Sequence, residues 1–138
     1  MTIQEIEKEI IEEFEIFGSD WEGKYEHLID LGKSLPIIKA ELKTEDRIIK
    51  GCQSRVWLNS ELINDKIVFT AYADAIITKG MVALLVRVLS NQKPEDVVKA
   101  ELKFVDVIGL KEHLSPTRAN GLVSMINKMK TAALAFIS

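Results

Sequence analysis

An α+β domain is the fold class this sequence predicts, and three features of its hydrophobic pattern predict it. Apolar residues recur at helical spacing up to Pro36, alternate at strand spacing in the centre, and return to helical spacing from Asp74 onward. Helices grouped on either side of a small antiparallel sheet, instead of alternating with strands, define the class. The expected order is two N-terminal helices, a sheet of about three strands, then several C-terminal helices.

The first helix is expected over residues 2–17. Ile3, Ile6, Ile10, Phe14 and Phe17 form its apolar stripe, and Glu7, Glu9, Glu12, Glu13 and Glu15 fill the opposite side. Thr2 and Glu5 have the spacing of a capping box, and Gly18 stops the helix. Ser19 with Glu22 repeats the cap spacing and begins a second helix. It turns Trp21, Tyr25, Leu28 and Ile29 inward and ends at Gly32 and Pro36. The acidic side of the first helix is read as a solvated face, with docking of a basic partner as the other use.

In the centre, Val56, Leu58 and Leu62 alternate with Arg55, Asn59 and Glu61. After Asn64-Asp65 a second β-rich run spans Lys66 to Ala73, so the two runs read as an antiparallel hairpin. Arg47 to Lys50 is expected to add a short third strand. Asp74 then caps a buried helix over Ala75–Leu89, and Pro94 opens a short helix carrying Val97, Val98 and Leu102. Residues 104–114 are expected to form irregular helical turns. The last helix runs from Ser115-Pro116 to about Phe136 on a stripe of Ala119, Leu122, Ile126, Met129, Ala133 and Phe136.

With 138 residues and neither repeat nor low-complexity linker, the chain reads as one domain, residues 1–138. Its 18 basic and 21 acidic residues give a net charge of −3, which offers no electrostatic footprint for nucleic acid. No apolar run reaches the ~20 residues of a membrane span. The N-terminus lacks the basic start of a secretory signal, so a cytoplasmic location is expected.

The chain has one cysteine, Cys52, in the segment Gly51-Cys52-Gln53-Ser54 between two apolar runs. A single thiol closes no internal disulfide and cannot supply the ligands of a zinc or iron–sulfur site. It can act as a nucleophile, activated by nearby cations such as Lys50 and Arg55, or it can be a buried packing residue. Local sequence leaves both open. Gly51 permits an unusual backbone or a close approach, and Gln53 and Ser54 add donors.

Arg118 breaks a local rule, because a cation at a helix N-terminus opposes the macrodipole. It would complete an anion site there, or merely reach an acidic neighbour. His27 and His113 have no metal-ligand spacing and neither forms a convincing pair with Cys52, which removes support for a papain-like hydrolase. No Gly-rich phosphate loop is present. The expectation is a protein without a cofactor or metal of its own.

Five segments, in register around the one cysteine, resemble the SufE family of sulfur-acceptor proteins over nearly the whole chain. They are Trp21–Tyr25, Leu31–Pro36, Gly51–Trp57, Ala73–Gly80 and Leu114–Leu122. The resemblance implies a SufE/NifU-like fold and a role in iron–sulfur cluster assembly. It implies that Cys52 accepts persulfide sulfur from a SufS-like cysteine desulfurase, stimulates that enzyme, and passes sulfur to a SufBCD-like scaffold. Gly51, Gln53 and Ser54 would belong to the active loop, and Asp74 and Arg118 would support that loop or the partner surface. The protein itself would not be a desulfurase. A non-covalent activating adaptor is the alternative, and an IscU/NifU-like scaffold is the less favoured one, since it needs several thiolates and the chain has one.

Overall fold

In the computed structural model the described residues are 2–35, 38–49, 55–110 and 116–137. Helix α1 (Ile3–Glu15) starts at the expected capping box: the Thr2 hydroxyl accepts from the Glu5 N–H, and the Glu5 carboxylate accepts from the Thr2 N–H. Ile3, Ile6, Ile10 and Phe14 are buried, and Gly18 turns the chain at φ +56°. Helix α2 (Trp21–Lys33) is capped by Asp20, whose carboxylate accepts from the Gly23 N–H, and not by Ser19. Both residue types cap well; the one followed directly by helical backbone does so here.

Two short 3₁₀ turns (Ala40–Leu42 and Glu45–Arg47) lead to strands β1 (Val56–Ile63) and β2 (Lys66–Ala73). These pair antiparallel, from Val56 opposite Ala73 to Ile63 opposite Lys66. Asn64 and Asp65 take φ +52° and +65°, the left-handed pair of a type I′ hairpin turn. The expected third strand is reduced to one bridge from Ile48 to Trp57, because Glu45–Arg47 coil into a 3₁₀ turn; Lys50 lies outside the described residues. The free edge of β2 is covered in the same economical way, by a bridge between Ile67 and Gln92.

Among the described residues four further helices follow: α3 (Ile76–Leu89), α4 (Pro94–Lys99), α5 (Phe104–Val107) and α6 (Pro116–Ala135). Helix α3 is the centre of the core, burying Met81, Leu84, Leu85, Val88 and Leu89 against α1, α2, β2 and α6. Helix α6 buries Leu122, Met125, Met129 and Ala133, with Ala119, Ile126 and Phe136 half-buried beside them. Leu102 is buried although its φ of +54° is unfavourable for a side chain with a Cβ, so burial outweighs backbone preference there.

Helices α2 and α3 touch at glycines. A Cβ on Gly32 would lie 2.8 Å from the Gly80 nitrogen, and one on Gly80 would lie 2.6 Å from Leu28 Cγ and closer still to the Leu28 carbonyl oxygen. Both glycines fall in segments that carry the family resemblance, and their role is close approach.

The acidic side of α1 is only partly solvated. Glu9 and Glu13 meet Arg87 of α3 at 3.4 and 2.5 Å, and Glu13 also meets His27 of α2 at 3.2 Å. His27 sits between the rings of Phe14 and Phe17, with centroids at 5.1 and 5.5 Å. Glu7 accepts from the Phe104 N–H at 3.2 Å and so caps α5. The hydrogen bond from Arg87 is the main reason the Glu13 carboxyl lies below its ordinary value of 4.5.

Replacing Gly80 with Ala is expected to cost about 2 kcal/mol, because backbone cannot yield to the methyl and the clash exceeds the ~1 kcal/mol gained in helix propensity. Gly18→Ala meets open space and is expected to cost only about 1 kcal/mol through its left-handed backbone. Urea midpoints of the two variants measure both, and a Gly80→Ala protein as stable as wild type would refute the contact.

The depressed carboxyl also sets an acid limb. The ionised Glu13 is favoured by folding, so its contribution is complete above the ordinary value of 4.5 and fades as pH falls through the lower folded-state value. Arg87→Met is therefore expected to flatten the stability–pH curve in that acid range. Parallel curves for variant and wild type would remove the linkage.

Candidate functional site

The chain enters and leaves the cysteine segment at one end of the hairpin. Ile49 and Arg55 are the nearest described residues on its two sides. The Ile49 N–H donates to the Val56 carbonyl at 2.8 Å, and the Asp74 N–H donates to the Arg55 carbonyl at 3.1 Å. Ile49 and Val56 are buried, which anchors the first of these hydrogen bonds in the core, whereas Arg55 and Asp74 are exposed. The segment thus springs from fixed backbone on both sides. Cys52, Gly51, Gln53 and Ser54 themselves lie outside the described residues.

Asp74 is the sequence-selected residue the structure places beside this base. Its carboxylate meets Arg55 Nε at 3.3 Å; the Arg55 side chain is largely exposed and that of Asp74 less so. It does not cap α3: Ala75 occupies that position and no side chain closes the helix start. Asp74 is held instead by continuing the β1–β2 ladder one residue past Ala73, which turns its carboxylate toward Arg55. Arg118 belongs to the first turn of α6, and its side chain lies outside the described structure.

Next to Arg55 lies a group that sequence reasoning missed. Trp57 and Tyr72 face each other across the strands, with ring centroids 6.1 Å apart. Lys43 stands over Tyr72 at 3.8 Å and within 5.8 Å of Trp57; Lys79, from the first turns of α3, stands 4.7 Å from Tyr72. Arg55 reaches the Trp57 ring at 5.7 Å. Three cations therefore converge on two rings at the hairpin end from which the cysteine segment departs. Hairpin register held the signal, since Trp57 and Tyr72 are each seven positions from the two-residue turn. The lysines come from other elements and carried none.

These features define a small α+β domain in which the single thiol segment is flanked by backbone fixed at Ile49 and Arg55, with a cationic and aromatic surface beside Arg55. Among the described residues no group of His, Cys, Asp and Glu is arranged to hold a metal ion, and no helix is long and apolar enough to cross a membrane. A surface cavity of about 580 Å³ lined by Thr2, Glu5, Lys66, Lys93, Asp96 and Lys99 shares no residue with the site.

The chain belongs to the SufE family, whose model, described as an Fe-S metabolism associated domain, matches residues 8–133. The chain is 36% identical over 130 residues to an uncharacterized SufE-like protein of Rhizobium meliloti, covering 91% of this chain and 92% of that one. It is 34% identical over 135 residues to SufE-like protein 1, chloroplastic/mitochondrial, of Arabidopsis thaliana, covering 96% of this chain but 36% of the longer plant protein. The solution structure of a hypothetical protein from Thermus thermophilus superposes with a TM-score of 0.78 at 20% identity, over 94% of each chain, and establishes the likeness of fold. Membership carries involvement in iron–sulfur metabolism and interaction with a cysteine desulfurase.

An exposed ion pair contributes little to stability, so Asp74→Ala is expected to shift the unfolding free energy by less than about 1 kcal/mol. Thermal or urea unfolding checks this. A larger loss would mean that the carboxylate holds the strand end and not only Arg55.

Proposed function

We propose that this chain is a sulfur acceptor and carrier for iron–sulfur cluster assembly, with Cys52 as the accepting residue. In this reading the chain works in the cytoplasm as a single domain, residues 1–138. A SufS-like cysteine desulfurase supplies the sulfur and a SufBCD-like scaffold receives it. The observation that carries the reading is the sole thiol of a SufE-family chain, in a segment whose two flanks are tied down by backbone hydrogen bonds.

The chemistry is an exchange between sulfur atoms. The Cys52 thiolate attacks the outer sulfur of the desulfurase persulfide, a new S–S bond forms, and the old one breaks. The desulfurase cysteine leaves as a thiolate, and Cys52 is left as a persulfide. No external oxidant is consumed, because one S–S bond replaces another. Such a step needs access and thiolate character more than a general base.

Arg55, Lys43 and Lys79 make the surroundings of the segment electropositive, which favours an anionic sulfur over a neutral one. In the same reading Arg118, in the first turn of α6, adds its charge to that helix end, and both stabilise the sulfur anion. Drawing the transferred sulfur off the desulfurase frees its cysteine for another turnover, so acceptance and stimulation are one event.

The test is incubation with a cysteine desulfurase and L-cysteine, followed by intact-mass measurement. One added sulfur atom on wild type, absent in Cys52→Ser, is the expected result. Arg118→Ala is expected to lower the rate of the mass gain several-fold, and an unchanged rate would refute its role. Stimulation of the desulfurase by wild type without any mass gain would replace the carrier with a non-covalent adaptor.

A further inference from the structure

We propose that Lys43, Tyr72 and Lys79, extended by Arg55, form the docking surface for an acidic segment of the desulfurase; this rests on the reading that such an enzyme is the partner. Two ammonium groups share one ring, at 3.8 and 4.7 Å from the Tyr72 centroid. None of the ion pairs among the described residues involves Lys43 or Lys79. Arg55 adds a third cation, and Asp74 is the carboxylate that meets it.

The chain as a whole is acidic, with a net charge of −3, so this concentration of positive charge runs against its average. A ring face offsets only part of the repulsion between two cations held together. Carboxylates from outside would relieve the rest and would find the ammonium groups already positioned. Beside them Ile76, 60% exposed, opens the same helix three residues before Lys79, and offers an apolar contact next to the charges.

Position fits the task as well as charge. Arg55 adjoins the cysteine segment in sequence, so the surface lies at the hairpin end from which that segment departs. A carboxylate-bearing segment, with one apolar residue for Ile76, is the chemistry this surface recognises. Charge complementarity of this kind accelerates encounter and orients the partner, and it weakens with salt.

The experiment compares wild type, K43E/K79E and K43Q/K79Q for affinity to a SufS-type cysteine desulfurase at low and high salt, alongside the intact-mass reading of Cys52. K66E/K93E, which carries the same change in net charge on a remote surface, is the control. K43E/K79E is expected to raise Kd about tenfold or more at low salt, with a flattened salt dependence. K43Q/K79Q, which keeps most of each side-chain stem, is expected to fall between it and wild type. Unfolding midpoints identify any variant whose loss comes from folding, and a well-folded K43Q/K79Q with wild-type affinity overturns the proposal.

Equal loss in K66E/K93E assigns the effect to net charge and likewise overturns it. Retention of wild type but not K43E/K79E on phosphatidylserine vesicles, with unchanged desulfurase affinity, makes the surface a lipid contact and overturns it too. A wild-type protein that binds the desulfurase through these lysines yet gains no sulfur supports the docking surface while refuting the carrier. Wild type that fails to bind the desulfurase at all refutes both.

Discussion

Close approach of α2 and α3 at Gly32 and Gly80 is the constraint on which the rest of the structure depends. With no Cβ on either residue the Gly80 backbone comes against Leu28, and the two helices meet main chain to main chain. That contact sets where α3 lies, and α3 is tied to β2 at both ends. At its C-terminal end the Ser90 hydroxyl accepts from the Phe69 N–H at 2.9 Å, and the Asn91 N–H donates to the Ile67 carbonyl at 2.7 Å. At its N-terminal end Asp74 and Ala75 join it directly to β2. The hairpin, and with it the base of the cysteine segment, takes its place from a helix crossing made possible by two missing methyl groups.

Charge is distributed with a similar division of labour. The carboxylates of α1 are spent largely inside the molecule, on Arg87, His27 and the start of α5. The cations of the hairpin end are not matched in this way, since Lys43 and Lys79 rest on an aromatic ring. Internal pairs hold helices together, whereas at the hairpin end, among the described residues, only Arg55 of these three cations has a carboxylate partner, Asp74.

Much of the fold was legible in the residues. The stripe Ile3, Ile6, Ile10 and Phe14, the Thr2–Glu5 capping box and the Asn64-Asp65 turn each depend on neighbours within a few positions, and each stands as read. Caps chosen by residue type alone were less secure: Asp20 closes α2 where Ser19 was expected, and Asp74 turns to Arg55 instead of closing α3. The third strand shrank to a bridge at Ile48 because Glu45–Arg47 coil, with Arg47 bonded to Asn59 at 3.1 Å. At the site, the lone thiol and Asp74 were visible as residue types; the pairing of Asp74 with Arg55 was not.

By itself the sequence determined the order of helices and strands, the hairpin register and the family, because periodicity, turn chemistry and ordered motifs are properties of short stretches of chain. Only the tertiary structure decided that the glycines are a helix contact, that Glu7 caps a helix far along the chain, and that Lys43 and Lys79 share one ring. Each of those joins residues many positions apart, and their meeting depends on how helices pack, which no local spacing encodes.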